Sequence, residues 1–236
     1  MHIISGIYWD RGMRQNNQDS LMLEQVYTRK GRVLLALVSD GIGGLSEGDT
    51  ASGLILEQVL LSFYQDILKL LREHRGRKML EKSIFRCFYE LNQMMNHYGK
   101  KKEIGLGATV TLLLIYKRKY LLFHLGDSRC YQIGLNHVKQ LTVDHADHLG
   151  RLTGCLGSFA YRSPDVIRGR VKRKTGFLLC TDGFYHYLDH KMMKEALNPQ
   201  EIEAEEQIEK RLRQMALYGM KQGEKDNVSA VYIVCK

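Results

Sequence analysis

Residues 33–38 (VLLALV) form an unbroken apolar run that stops at Ser39, Asp40 and Gly41. A run that short, bounded by turn formers, fits a strand buried on both faces better than a helix. Residues 177–180 repeat the pattern and end in Thr181, Asp182 and Gly183. Other apolar runs predict strands at 3–8, 21–27, 109–116, 120–125, 131–133, 138–141 and 228–234, with a charged strand candidate at 168–173. A turn at Lys30 and Gly31 joins the strand at 21–27 to the run at 33–38.

A different rhythm follows residue 46. Leu54, Leu56, Val59, Leu60, Phe63, Ile67 and Leu70 recur at spacings of three and four, the signature of an amphipathic helix. Ser46 and Asp49 have the spacing of a capping box at its start. Residues 74–76 break the pattern. A second helix then carries Met79, Ile84, Phe88, Leu91 and Met95 on one face and Lys78, Lys82 and Arg86 on another. Each of the two helices is expected to run about five turns. Residues 184–196 predict one or two short helices, and residues 200–222 a longer one. Short sequential strands with tight turns argue for antiparallel pairing. With the long helices outside, the fold class is α+β: two stacked, mainly antiparallel sheets flanked by helices.

The 236 residues include two prolines and no low-complexity tract, which predicts one domain over residues 1–236. No apolar run approaches the ~20 residues a membrane span needs. Residues 1–12 lack the apolar core of a signal peptide, so a soluble cytoplasmic protein is the expectation. The five cysteines have no zinc spacing and read as free thiols, four of them in apolar or aromatic surroundings. The formal charge of +9 reads as solvated basic faces or as attraction to anionic partners. No nucleic-acid motif accompanies it.

Five aspartates fall at the ends of predicted strands or beside glycines: Asp19, Asp40, Asp127, Asp182 and Asp226. Taken singly, each reads as a turn or cap residue. If they converge, their charges require cations, and an all-oxygen donor set favours Mg²⁺ or Mn²⁺ over zinc. Paired ions of this kind polarise phosphoryl groups, and Arg14 adds a planar cation able to grip phosphate oxygens.

In order, the chain carries R-x-x-N-Q-D (14–19), D-G-x-G-G (40–44), G-A-T (107–109), G-D-S-R (126–129), L-T-x-D-H (141–145), T-D-G (181–183) and D-N-V (226–228). This set resembles the metal-dependent, type-2C serine/threonine protein phosphatases in their bacterial form, and it spans nearly the whole chain. The resemblance implies a four-layer α-β-β-α sandwich with a binuclear Mn²⁺ or Mg²⁺ site at one sheet edge. By position, Asp40 bridges two metals, Gly41 offers its carbonyl, and Asp182 and Asp226 bind the first metal. Asp19 supports the second through water, Asp127 with Asp182 holds a third, and Arg14 binds the substrate phosphate. The implied reaction is hydrolysis of phosphoserine and phosphothreonine in proteins by a metal-bound hydroxide, with Arg14, Asp40 and Asp182 as the catalytic set. The implied partners are phosphorylated proteins, targets of a serine/threonine kinase, met by a monomer.

Three departures stand out. Gln18 replaces the glutamate of many relatives, and Ile42 stands where animal members carry a histidine proposed as general acid. The segment 145–157, where bacterial members insert a flap, is short and predicts a more open cleft. His145 and Asp144 read as loop-ordering residues, and Ser128 and Arg129 as hairpin contacts. Two other readings stay open: a binding module of the same fold with weak or no turnover, and a hydrolase of a non-protein phosphate ester.

Overall fold

The computed structural model describes residues 2–29, 31–42, 47–157 and 160–236. Lys30 of the first hairpin, Gly43 and Gly44 of the glycine-rich motif, and Ser46 of the capping box lie outside the described residues.

Among the described residues, ten strands form two five-stranded sheets in which every ladder is antiparallel. The first sheet holds β1 (Ile3–Asp10), β10 (Val228–Cys235), β9 (Thr175–Cys180), β6 (Arg129–Ile133) and β7 (Val138–Gln140), in that order. The second holds β2 (Asp19–Thr28), β3 (Gly31–Asp40), β4 (Val110–Tyr116), β5 (Lys119–Leu125) and β8 (Asp165–Arg170).

The unbroken apolar run of β3 is explained by its two buried faces. Leu34, Ala36 and Val38 enter the layer between the sheets with Phe177, Leu179, Val231 and Ile233. Val33, Leu35 and Leu37 face outward against helices α1 (Gly48–Ser62) and α3 (Arg77–Lys102). The outer face of the other sheet packs against α4 (Asp182–Tyr185), α5 (His190–Ala196) and α6 (Glu205–Gln222) through Leu178, Tyr232, Ile208 and Leu212. Three apolar layers between four structural layers make the expected α-β-β-α sandwich.

Besides α6, which begins at Glu205 rather than at residue 200, the structure differs from the sequence expectation in four places. The first long helix is α1, a π-helical turn over Phe63–Ile67, and α2 (Leu68–Arg72), one path whose apolar spacing does not register the wider turn. The second helix has 26 residues, about seven turns rather than five. β8 lies three residues earlier than the charged candidate, because its pairing with β5 sets Lys119 opposite Arg170 and His124 opposite Asp165. Asp19 is a strand residue opposite Asp40 rather than part of a turn. Four of the five free cysteines are buried and Cys87 is partly so. Among the described residues no helix is long and apolar enough to cross a membrane.

Candidate metal centre

Antiparallel pairing brings Asp19 and Asp40 together as direct partners at one end of β2 and β3. Asp127 follows β5 at the same end, because Leu125 pairs with Val110 while Tyr116 pairs with Lys119 at the other. From the facing sheet, Asp182 begins α4 just after β9, and Asp226 precedes β10. The two sheets therefore deliver all five aspartates to one edge.

Their electrostatics record this convergence. Burial is the largest cause raising Asp40 well above the ordinary carboxylate range, followed by the charges of Asp19, Asp182, Asp127 and Asp226. Burial likewise pushes Asp19 up to about 7, against hydrogen bonds that favour its charged form. Burial and the charge of Asp182 push Asp127 up to about 6. Asp182 is raised by burial and by Asp226, while His186 acts in the opposite direction.

The polypeptide braces these residues, Asp19 through its carboxylate and Asp40 and Asp127 through their backbone. Thr181 Oγ1 donates to Asp19 Oδ2 at 2.9 Å and accepts from Ser229 N–H at 3.2 Å. Asp40 and Thr109 are tied twice: Asp40 N–H donates to Thr109 Oγ1 at 2.9 Å, and Thr109 N–H donates to Asp40 O at 2.8 Å. Tyr185 donates from its hydroxyl to Asp127 O at 3.0 Å, and its ring lies 3.7 Å beneath the Arg129 guanidinium. Gly41 is required by close approach, since a Cβ there would lie 2.2 Å from Gly48 O. Gly183 packs the same way on Asn227 O, so the T-D-G and D-N-V segments touch through backbone.

Asn227 was not singled out by its type, yet it clamps the loop bearing Arg14. Its Nδ2 donates to Arg11 O and Asn16 O, both at 2.9 Å, and its Oδ1 accepts from Gln18 N–H at 2.8 Å. Thr109, Thr181 and Tyr185 were also missed as supports. The signal was available only as hydroxyl residues next to motif aspartates or glycines. Arg14 itself is half exposed, and its Nη2 lies 2.6 Å from Asp226 Oδ2.

The residues read as loop-fixing take those roles. Arg129 grips Asp144 through Nε and Nη2, the shorter contact being 2.6 Å. Ser128 Oγ lies 2.8 Å from Thr109 Oγ1. His145 is buried, accepts from Gly126 N–H at Nδ1, donates from Nε2 to Asp165 at 3.1 Å and stacks on His124.

Does this edge suit divalent cations? Buried Asp19 Oδ1 has no hydrogen-bond partner, and the donors that gather here are carboxylate oxygens whose mutual repulsion a hard cation relieves. In the conformation described, no group of three or more His, Cys, Asp or Glu among the described residues is already set to hold an ion. Two of the side chains have other partners: Asp226 meets Arg14, and Asp182 Oδ1 accepts from Gly183 N–H at 2.7 Å. The donor chemistry fits, with the Arg14–Asp226 ion pair as the contact a cation must displace.

Two sheets with this connectivity and an aspartate-lined edge define a protein phosphatase 2C architecture. The sequence pattern of protein phosphatase 2C matches residues 11–225, and the chain belongs to that family. It is 29% identical over 140 residues to the serine/threonine phosphatase Stp of Listeria welshimeri, covering 58% of this chain. The chain's match spans about half of that relative's length, 52%. The structure of Stp1 from Staphylococcus aureus superposes with a TM-score of 0.84 at 21% identity, over 100% of this chain and 96% of that one. The catalytic domain of PstP, solved with two manganese ions, superposes with a TM-score of 0.77 at 24% identity, over 98% and 97%.

Proposed function

We propose that this protein hydrolyses phosphoserine and phosphothreonine in other proteins, using two Mn²⁺ or Mg²⁺ ions, with room for a third, at the Asp40 edge. The observation that carries the reading is the set of four carboxylates pressing on Asp40 at the end of β3. That arrangement is costly as a structural device and useful as a cation trap.

Asp40, Asp182 and Asp226, with the Gly41 carbonyl, would hold the principal ions. Asp19 would steady the second ion, and Asp127 with Asp182 a third. When bound, such ions supply Lewis-acid activation of the phosphoryl group and of a water molecule. The chain's own contribution is positional. Arg14 moves from Asp226 to the substrate phosphate, where its planar fork binds two oxygens and fixes the ester for in-line attack. Thr181 holds the Asp19 carboxylate, and Thr109 fixes the Asp40 backbone at the edge. Ile42 offers no proton, so the leaving alkoxide takes one from water.

The family relationship and the Stp and PstP phosphatases named above support a phosphoprotein substrate, and the two manganese ions of PstP support the metal. We place the chain as a monomeric, cytoplasmic, single-domain enzyme that reverses a serine/threonine kinase, with the 145–157 segment as a shortened flap. Gln18, in place of the glutamate of many relatives, is the feature near the proposed ions that favours a binding module.

Hydrolysis of p-nitrophenyl phosphate and of a phosphothreonine peptide, in EDTA, Mg²⁺ and Mn²⁺, tests the proposal. Turnover that requires a metal and disappears in Asp40→Asn is expected. A folded protein inert with every metal would leave the binding-module reading instead.

A further inference from the structure

A cavity of about 630 Å³ lies at the end of the second sheet opposite the aspartates. It opens between the α2–α3 connection, the β4–β5 turn and the end of β8, on the helix-facing side of the sheet. The length of β5 separates it from Asp127, roughly 20 Å at about 3.4 Å per residue.

Its lining combines two kinds of surface. The floor is apolar, formed by Leu71, Leu80, Leu114 and Leu121 with the Tyr116 ring. The rim carries six Lys or Arg residues and His74, with no Asp or Glu among the lining residues. Part of that charge is balanced from behind: Arg77 and Arg168 share Glu81 at 3.2 and 2.7 Å, and Arg75 meets Glu73 at 3.4 Å. Lys119 and Arg170 are different. They are direct partners across the β5–β8 ladder, and no ion pair joins either to a carboxylate among the described residues. Like charges placed directly opposite in a sheet repel.

The neighbouring turn points the same way. Lys117 and Arg118 both sit at positive φ, 54° and 61°, in a two-residue hairpin turn that favours Asn and Gly. Basic residues thus occupy positions that local conformation disfavours, and Lys117 lies 5.2 Å from the centre of the Tyr116 ring.

An unbalanced cation pair over an apolar floor calls for an anion with an apolar body. The volume lies within the range of small-ligand sites. The number of cations favours more than one negative charge, and the Arg170 fork favours phosphate oxygens. We propose that this cavity is a second binding site, remote from the candidate metal centre, for a small phosphorylated ligand with an apolar or aromatic body, of the size and charge of a nucleoside diphosphate. Its phosphates sit between Lys119 and Arg170, and its body lies on Leu71, Leu80 and Leu121. The inference is independent of the chemistry at Asp40.

The test is calorimetric titration of the full chain, freed of metal on a chelating resin, with ADP, adenosine and inorganic phosphate as separate probes. ADP is expected to bind with Kd below about 1 mM, and adenosine and phosphate each about tenfold more weakly or worse. Raising the salt weakens ADP binding. The double variant Lys119→Gln/Arg170→Gln loses at least about tenfold in ADP affinity, whereas Arg14→Ala at the distant edge retains it. Lys119→Gln alone is expected to raise Tm, because it removes the cross-strand repulsion, and so serves as a folded single-site check. ADP binding by the folded single and double variants as tight as that of the wild type overturns the proposal. So do loss of binding in Arg14→Ala, no binding of ADP at millimolar concentration, and binding of an acidic peptide without ADP.

Discussion

Arg14 Nη2 lies 2.6 Å from Asp226 Oδ2, so the cation proposed to hold substrate phosphate is held by a carboxylate proposed to hold metal. The two roles compete for one pair of side chains. Arg14→Ala is therefore expected to weaken phosphosubstrate binding, raising KM about tenfold or more, while leaving metal affinity unchanged or tighter. Weaker Mn²⁺ binding in calorimetry of that variant contradicts the arrangement.

The cluster around Asp40 makes a second prediction, about stability rather than rate. Asp40→Asn removes an ionisable carboxyl whose charge four other aspartates oppose. The metal-free variant is expected to melt higher than the wild type, by about 2–4 °C for each kcal/mol relieved. The same variant loses the rise in Tm that Mn²⁺ gives the wild type. A lower Tm in the metal-free variant would show that Asp40 stabilises the fold by its hydrogen bonds instead.

A pH dependence follows from Asp19 and Asp127, raised to about 7 and about 6. A carboxyl with a raised folded-state pKa contributes stability that is full below its unfolded pKa near 3.8 and lost as pH rises through the folded value. For Asp19 the upper bound is on the order of 4 kcal/mol. The carboxylate contribution to metal-free stability is thus expected to fall from pH 5 to pH 7.5, and Mn²⁺ to raise Tm more at pH 7.5 than at pH 5. Chemical denaturation of wild type and Asp19→Asn at both pH values isolates this contribution; equal changes in the two proteins would refute it.

His124 acts with the opposite sign. Burial, and then His145, lower it to about 4, and its Nε2–H donates to Val143 O at 3.1 Å. Its contribution is present above pH 6.5 and is lost as pH falls through about 4. In ¹⁵N-resolved NMR its ring is expected to stay in the neutral Nε2–H form from pH 8 to pH 5. An imidazolium signal at pH 6 refutes it.

Arg129 supplies a prediction about support of the site. It grips Asp144 through two nitrogens and covers the ring of Tyr185, whose hydroxyl holds Asp127 O. Lys at this position keeps the charge but loses the fork and the stacking. Arg129→Lys is expected to cost about 1–3 kcal/mol by urea denaturation. An unchanged midpoint would assign Asp144 and Tyr185 to other partners.

Much of this molecule is written in short-range pattern. The run 33–38 has no polar position because both faces of β3 are covered, so burial on two sides is legible directly. The alternation of apolar spacing gives the order of strands and helices, and the repeated strand–Asp–Gly segments give the aspartates. The π turn at Phe63–Ile67 was not legible, because its apolar spacing matches that of the helix around it. The start of β8 was not legible either, since its residues alternate weakly and only pairing with β5 sets their register.

By itself the sequence determined the two-sheet, helix-flanked architecture, the family, and which carboxylates are candidates. Tertiary structure alone decided that Asp226 meets Arg14, that Asn227 clamps residues 11–18, and that Lys119 faces Arg170 over an apolar floor. The reason is separation along the chain. Periodicity reports which face of an element is buried, a local property of a few residues. A charge pair or a hydrogen-bonded clamp depends on where the sheets bring distant residues together, as with Arg14 and Asp226, 212 residues apart.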